Sequence, residues 1–122
     1  PSKVLATINA LKELNPSRYL ISCLELHTFS SLDRVFLPNY SNVFNSSQEV
    51  WIYVPDNVKS SESMKKLDEK FIKEVIQHPT IYFFKDLIDL EKKLLKIKFN
   101  NTNLLLMSSG NFSGLDIENI YN

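Results

Sequence analysis

A chain of 122 residues suffices for one domain with its own hydrophobic core, without disulfide or metal staples. Its 14 Lys and Arg balance 14 Asp and Glu, so the net charge is zero, and no long run of one sign occurs. That argues against a nucleic-acid partner, which asks for a basic patch, but leaves small acidic ligands open, since a few backbone amides can hold them.

Val4, Ile8 and Leu11 recur at helical spacing, with Leu5 and Leu14 widening the stripe, which predicts an amphipathic helix over about Ser2–Leu14. Asn15-Pro16 ends it, because proline disfavours helix at the residue before it. Residues 19–24 form a nearly continuous apolar run, the pattern of a strand covered on both faces. The single cysteine, Cys23, lies inside that run, where packing is its expected role; it suits a reducing, cytoplasmic compartment. A loop is predicted over residues 26–31. Ser30-x-x-Asp33 has the spacing of a capping box, opening a modest helix towards Tyr40.

The Asn- and Ser-rich stretch 39–48 reads as a loop, and residues 50–54 as a strand stopped by Pro55. Met64, Leu67, Phe71 and Val75, with Ile72 and Ile76 beside them, predict a second amphipathic helix. His78 is expected to cap its carboxyl end. Residues 80–84 form the next strand. Leu87, Leu90, Leu94 and Ile97 predict a third helix, and residues 104–107 the last strand. A turn holding both glycines, Gly110 and Gly114, leads to a short helix from about Asp116.

Helices thus alternate with buried strands, which predicts an α/β domain: a three-layer, Rossmann-like, mainly parallel sheet with helices on both faces. Such sheets ordinarily open on a strand, whereas this chain opens on a helix. A first strand is therefore expected to be missing in front of Pro1, which marks either a processed terminus or an excised piece. No segment approaches the roughly 20 apolar residues of a membrane span, and no signal peptide is visible.

In open α/β sheets, ligands bind at the carboxyl ends of strands. Two such ends carry unusual residues, 25–31 and 108–116. Glu25 and His27 are two apart and share a face if the strand continues that far. A carboxylate there can orient the imidazole for acid–base work; the same pair can equally cap the following turn. In the second segment, Ser108-Ser109-Gly110-Asn111-Phe112-Ser113-Gly114, glycines let the backbone approach a ligand and a helix start offers amides to an anion. The Lys-Ser/Thr of a P-loop is absent. The competing reading is a plain glycine turn with Asn111 left-handed. Two histidines and one cysteine give no zinc spacing. Lys65-Lys66 and Lys92-Lys93 read as solvated charge, and Trp51, Tyr53 and Phe83 as core. No complete catalytic set is present.

The block Cys23-Leu24-Glu25-Leu26-His27-Thr28-Phe29-Ser30-Ser31-Leu32 resembles the "hydrophobic-x-x-His-[Arg/Thr]-[Tyr/Phe]-Ser" segment in the C-terminal domain of Mur ligases. These ATP-dependent enzymes build the peptide of bacterial cell-wall precursors. Pro1-Ser2-Lys3-Val4 and the helix after it are similar to the continuation of the family's His-x-Pro segment. Leu104-Leu105-Leu106-Met107-Ser108-Ser109-Gly110-Asn111-Phe112-Ser113-Gly114-Leu115 is similar to its last strand and glycine turn. The resemblance covers the chain in element order and is specific in these three blocks; residues 39–101 carry none of it.

The resemblance implies a three-domain enzyme of peptidoglycan synthesis or recycling, and so of cell shape and division. A central domain would bind ATP and magnesium, and the carboxylate of UDP-N-acetylmuramate would be phosphorylated. The amine of an amino acid or peptide then displaces phosphate to form an amide. The present chain would be the closing, C-terminal domain, which orients the incoming amine substrate. The implied substrate-binding set is Glu25, His27, Thr28, Ser31, Ser108, Ser109, Gly110, Asn111 and Phe112, with Ser108, Ser109 and Asn111 bonding the incoming carboxylate. The alanine-adding branch commonly has Arg where Thr28 and Ser31 stand here, which favours the branch recycling L-alanyl-γ-D-glutamyl-meso-diaminopimelate. Without the other domains the fragment is expected to be inactive. The alternative is a free-standing flavodoxin-like binding or regulatory module, though not of the receiver type, whose acidic cluster has no counterpart here.

Overall fold

The computed structural model describes residues 2–26, 37–55, 69–108 and 110–121. Four strands form one sheet in the order β3-β2-β1-β4, with β1 Tyr19–Glu25, β2 Glu49–Tyr53, β3 Ile81–Phe84 and β4 Thr102–Met107. Every neighbouring pair is parallel. Around them lie α1 Ser2–Leu14, α2 Glu69–Ile76, α3 Leu87–Leu95 and α4 Ile117–Tyr121, with 3-10 turns at Leu37–Tyr40 and Phe112–Gly114. The expected fold class is the observed one.

Alternation along the strands divides the interior into two cores. Leu20 and Leu24 of β1 with Val50 and Ile52 of β2 face one side, where Ile8 of α1 and Ile72 and Ile76 of α2 cover them. Ile21 and Cys23 with Trp51 and Tyr53 face the other, covered by Leu90 and Leu94 of α3, then Phe112, Leu115 and Ile120. A strand walled on both sides has little place for a solvent-facing residue, which is why the interiors of β1 and β2 read as nearly continuous apolar runs.

Several boundaries differ from expectation. The buried stripe of α1 is narrower than predicted: Ile8 is fully buried, but Leu5 and Leu14 are 40 % and 78 % exposed. The helix meets the sheet along a single line, and these two leucines point away from it. Helix α3 ends before Ile97, which packs against the second core from beyond the last turn. Residues 41–48 are irregular, as expected of a loop, yet Val43 and Phe44 are buried in the first core beside Tyr40. The capping box at Ser30 and Asp33 lies outside the described residues, as do Met64 and Leu67.

His78 is not a helix cap. The left-handed residue closing α2 is Gln77, at φ 54, whose amide bonds the Lys73 carbonyl. His78 instead ties two loops together. Its Nδ1 accepts from the Thr80 amide at 3.0 Å, so the neutral ring carries its proton on Nε2, which donates to the Ser47 carbonyl at 2.7 Å. Ser47 in turn shares a 2.6 Å hydroxyl contact with Ser22 of β1, both side chains buried. Among the described residues, no helix is long and apolar enough to cross a membrane.

The chain steps from β1 to β2 to β3 with its connections on the first face. It then returns over the second face through α3 to reach β4, on the far side of β1. Right-handed crossovers require this change of face when the direction reverses. The reversal puts a switch point between the carboxyl ends of β1 and β4.

Candidate functional site

Glu25 is the last residue of β1 and is 3 % exposed. Strand alternation aims it at the second core, two residues beyond Cys23 and beside Tyr53, its register partner on β2. Ser108 follows β4 directly, one step past the Leu24–Met107 register pair. Its hydroxyl donates to Glu25 Oε1, and its Oγ accepts from the Gly110 amide at 2.7 Å. The Phe112 amide donates to the same Glu25 oxygen at 3.0 Å. One buried carboxylate thus joins two strand ends and the turn after the second. Ionised acceptors make the stronger hydrogen bonds, so this junction is a firm one.

The turn has an unusual backbone. Phe112, Ser113 and Gly114 are all left-handed, at φ 54, 56 and 81. Asn111, the residue expected there, is not, at φ −132. Its side chain caps the turn instead, Oδ1 accepting from the Gly114 amide at 3.3 Å. The phenyl ring of Phe112 is driven into the second core, where it stacks on Tyr53, and hydrophobic burial thereby holds a non-glycine residue left-handed. The Tyr53 and Ser113 hydroxyls lie 2.9 Å apart in a hydrogen bond. Asp116 then caps α4, Oδ1 accepting from the Asn119 amide at 3.4 Å.

These bonds alter the chemistry available. The Gly110 and Phe112 amides, which a bare glycine turn would offer to an anion, are taken by Ser108 and Glu25. Glu25 occupies the place of that anion. The Asn111 side-chain nitrogen is exposed on the turn and has no partner among the described residues. Cys23 below is inert: burial, with the Glu25 charge adding, pushes its thiol far above the usual range.

Of the nine predicted site residues, the structure brings together Glu25, Ser108, Gly110, Asn111 and Phe112. His27, Thr28, Ser31 and Ser109 lie outside the described residues. Tyr53 and Ser113 belong to the cluster and were not anticipated. The available signal was positional: Tyr53 is the last residue of its strand, two before Pro55, and Ser113 adjoins the glycine of the turn. Among the described residues, no three His, Cys, Asp or Glu side chains gather as a metal site requires.

A parallel sheet in this order, helices on both faces and a polar cluster at the switch point define a doubly wound α/β domain of Rossmann type. No family profile and no curated protein matches the sequence. Among solved structures, the chain is similar to a domain of a protein from Haemophilus ducreyi 35000HP described as a UDP-N-acetylmuramate:L-alanyl-γ-D-glutamyl-meso-diaminopimelate ligase. The TM-score is 0.58 and the identity 19 %, over 99 % of this chain and 81 % of that one. At this identity the likeness establishes a shared fold. The ligase it names is of the kind that the three sequence blocks resemble.

Proposed function

We propose that this chain is the C-terminal, substrate-positioning domain of an ATP-dependent amide ligase joining UDP-N-acetylmuramate to a cell-wall peptide. The observation that supports it best is the placement of the two family-like blocks. They start from β1 and β4, meet at the switch point, and are pinned together by Glu25, Ser108 and Phe112. The fold shared with a domain of such a ligase adds to this reading.

The described residues offer little to a triphosphate, because the Gly110 and Phe112 amides are engaged internally and no lysine stands on the turn. ATP and magnesium, which supply activation of the muramoyl carboxylate, would therefore be held by another domain. This domain's part is orientation. Glu25 and Tyr53 fix the turn; Asn111 presents a side-chain amide to the carboxylate of the incoming peptide; the family resemblance adds His27, Thr28 and Ser31 to the substrate-binding set. Ser108 acts through the turn it organises.

The test is the product of the complete coding sequence, supplied with UDP-N-acetylmuramate, ATP and magnesium. Release of ADP that depends on L-alanyl-γ-D-glutamyl-meso-diaminopimelate, and less on L-alanine, is expected; the 122-residue chain alone releases none. A coding sequence without an upstream Gly-x-x-Gly-Lys-Thr/Ser loop, or ADP release indifferent to either amine, overturns the proposal.

A further inference from the structure

At the opposite end of the sheet, the amino ends of β1, β2 and β4 and the last turn of α3 enclose an open cleft of about 270 Å³. Its apolar floor is Ile21 and Trp51. Glu49 stands in its wall with both oxygens engaged: Oε2 accepts from the Tyr19 hydroxyl at 2.7 Å and Oε1 from the Trp51 indole at 2.9 Å. Lys93, Lys96 and Lys98 converge on the same cleft. Lys93 was expected to be ordinary solvated charge, but its ammonium sits 3.9 Å from the centroid of Tyr82 and 5.2 Å from that of Trp51.

None of the three ammonium groups has a carboxylate partner among the described residues. Lysine is common in the last turn of a helix, where it complements the dipole. Here, however, the carbonyls of Lys93 and Leu94 already accept from the Lys96 and Ile97 amides, and Lys98 lies beyond the helix. Three cations therefore face one carboxylate that two donors hold in place, on a chain whose overall charge is zero. A low-dielectric floor beneath converging like charges concentrates their field on whatever enters.

We propose that this cleft is a second ligand site, which takes a compact dianion: a phosphate monoester or a small dicarboxylate. Lys96 and Lys98 hold its charge, and Lys93 closes the third side. The site is separate from the β1–β4 switch point and does not depend on the ligase reading.

The test is titration of the 15N-labelled 122-residue chain with inorganic phosphate and, in a parallel arm, malonate, with sodium chloride holding ionic strength constant. The indole N–H of Trp51, the sole tryptophan, and the amides of residues 96–102 are the reporters. Saturable shifts at roughly millimolar concentration are expected, weakened tenfold or more by the double substitution Lys96→Ala, Lys98→Ala. Both positions are exposed, so the thermal midpoint of that variant stays near the original. Tighter phosphate binding assigns the monoester class, and tighter malonate binding the dicarboxylate. Shifts that rise without saturation, that chloride reproduces, or that survive the double substitution overturn the site.

Discussion

Phe112 lies flat on Tyr53, with ring centroids 6.3 Å apart and planes 8° from parallel, while its own backbone is left-handed. The next residue, Ser113, is left-handed too and bonds the hydroxyl of the same tyrosine. One side chain on β2 therefore secures both non-glycine residues of the turn in a conformation that costs each of them on the order of 1 kcal/mol.

Tyr53→Phe keeps the stacking and removes the hydroxyl, so it should lower stability by about 1 kcal/mol in urea unfolding. In that background Ser113→Gly should recover a comparable amount, because glycine adopts the left-handed region freely and no bond remains to be lost. In the original protein the same Ser113→Gly change should be close to neutral. Equal effects in the two backgrounds would mean that Tyr53 does not hold Ser113.

Removing the Glu25 carboxylate leaves the buried Phe112 amide and the Ser108 hydroxyl without their acceptor. Glu25→Ala should cost about 2 kcal/mol or more, and amide exchange at Gly110 and Phe112 should quicken more than in α1. Glu25→Gln should cost less, since an amide oxygen can accept both bonds. If exchange in the turn is unchanged in Glu25→Ala, the carboxylate is not what organises it.

Cys23 makes stability sensitive to alkali. Its folded thiol is pushed up by burial and by the Glu25 charge, so above about pH 8.5 the unfolded chain gives up this proton while the folded chain keeps it. The unfolded state then binds fewer protons, and stability falls with rising pH, at a limiting slope of about 1.4 kcal/mol per pH unit. Tyr19, pushed up to about 12 chiefly by its bond to Glu49, adds the same sign of dependence above pH 10. Urea titrations between pH 7 and 10 should show the decline in the original protein and a flatter profile in Cys23→Ala. Identical profiles would remove the thiol from the account.

If the complete protein is the ligase proposed above, Asn111→Ala should raise KM for the peptide about tenfold, the effect of losing one hydrogen bond to a charged group, with KM for ATP unchanged. A parallel rise for ATP would point to a disturbed turn rather than a lost contact.

The sheet was legible because β1 and β2 are covered on both sides, and double burial leaves a signature in the residues themselves. The two ends of the switch point were legible for a related reason: Glu25 and the Ser-Gly-Asn run interrupt apolar runs where a buried strand has no use for them. What joins them was not. Glu25 reaches Ser108 and Phe112 through a strand pairing that no local pattern encodes. Lys93 was misread for the same reason, since helical periodicity shows that it leaves the buried stripe but not that Tyr82 and Trp51 stand beside it.

The bond between Glu25 and Ser108 spans 83 positions of the chain. The β1–β4 ladder beneath it has the same long reach, and closing so long a loop costs more chain entropy than the shorter-range pairing of β1 with β2. On the ribosome, β1 must wait for the chain to emerge as far as Met107 before its second neighbour is complete. A partly made or partly unfolded chain can carry the first core and still present no switch point. The geometry of that end of the sheet thus serves as a completeness check: the turn is organised only on a molecule that has finished folding.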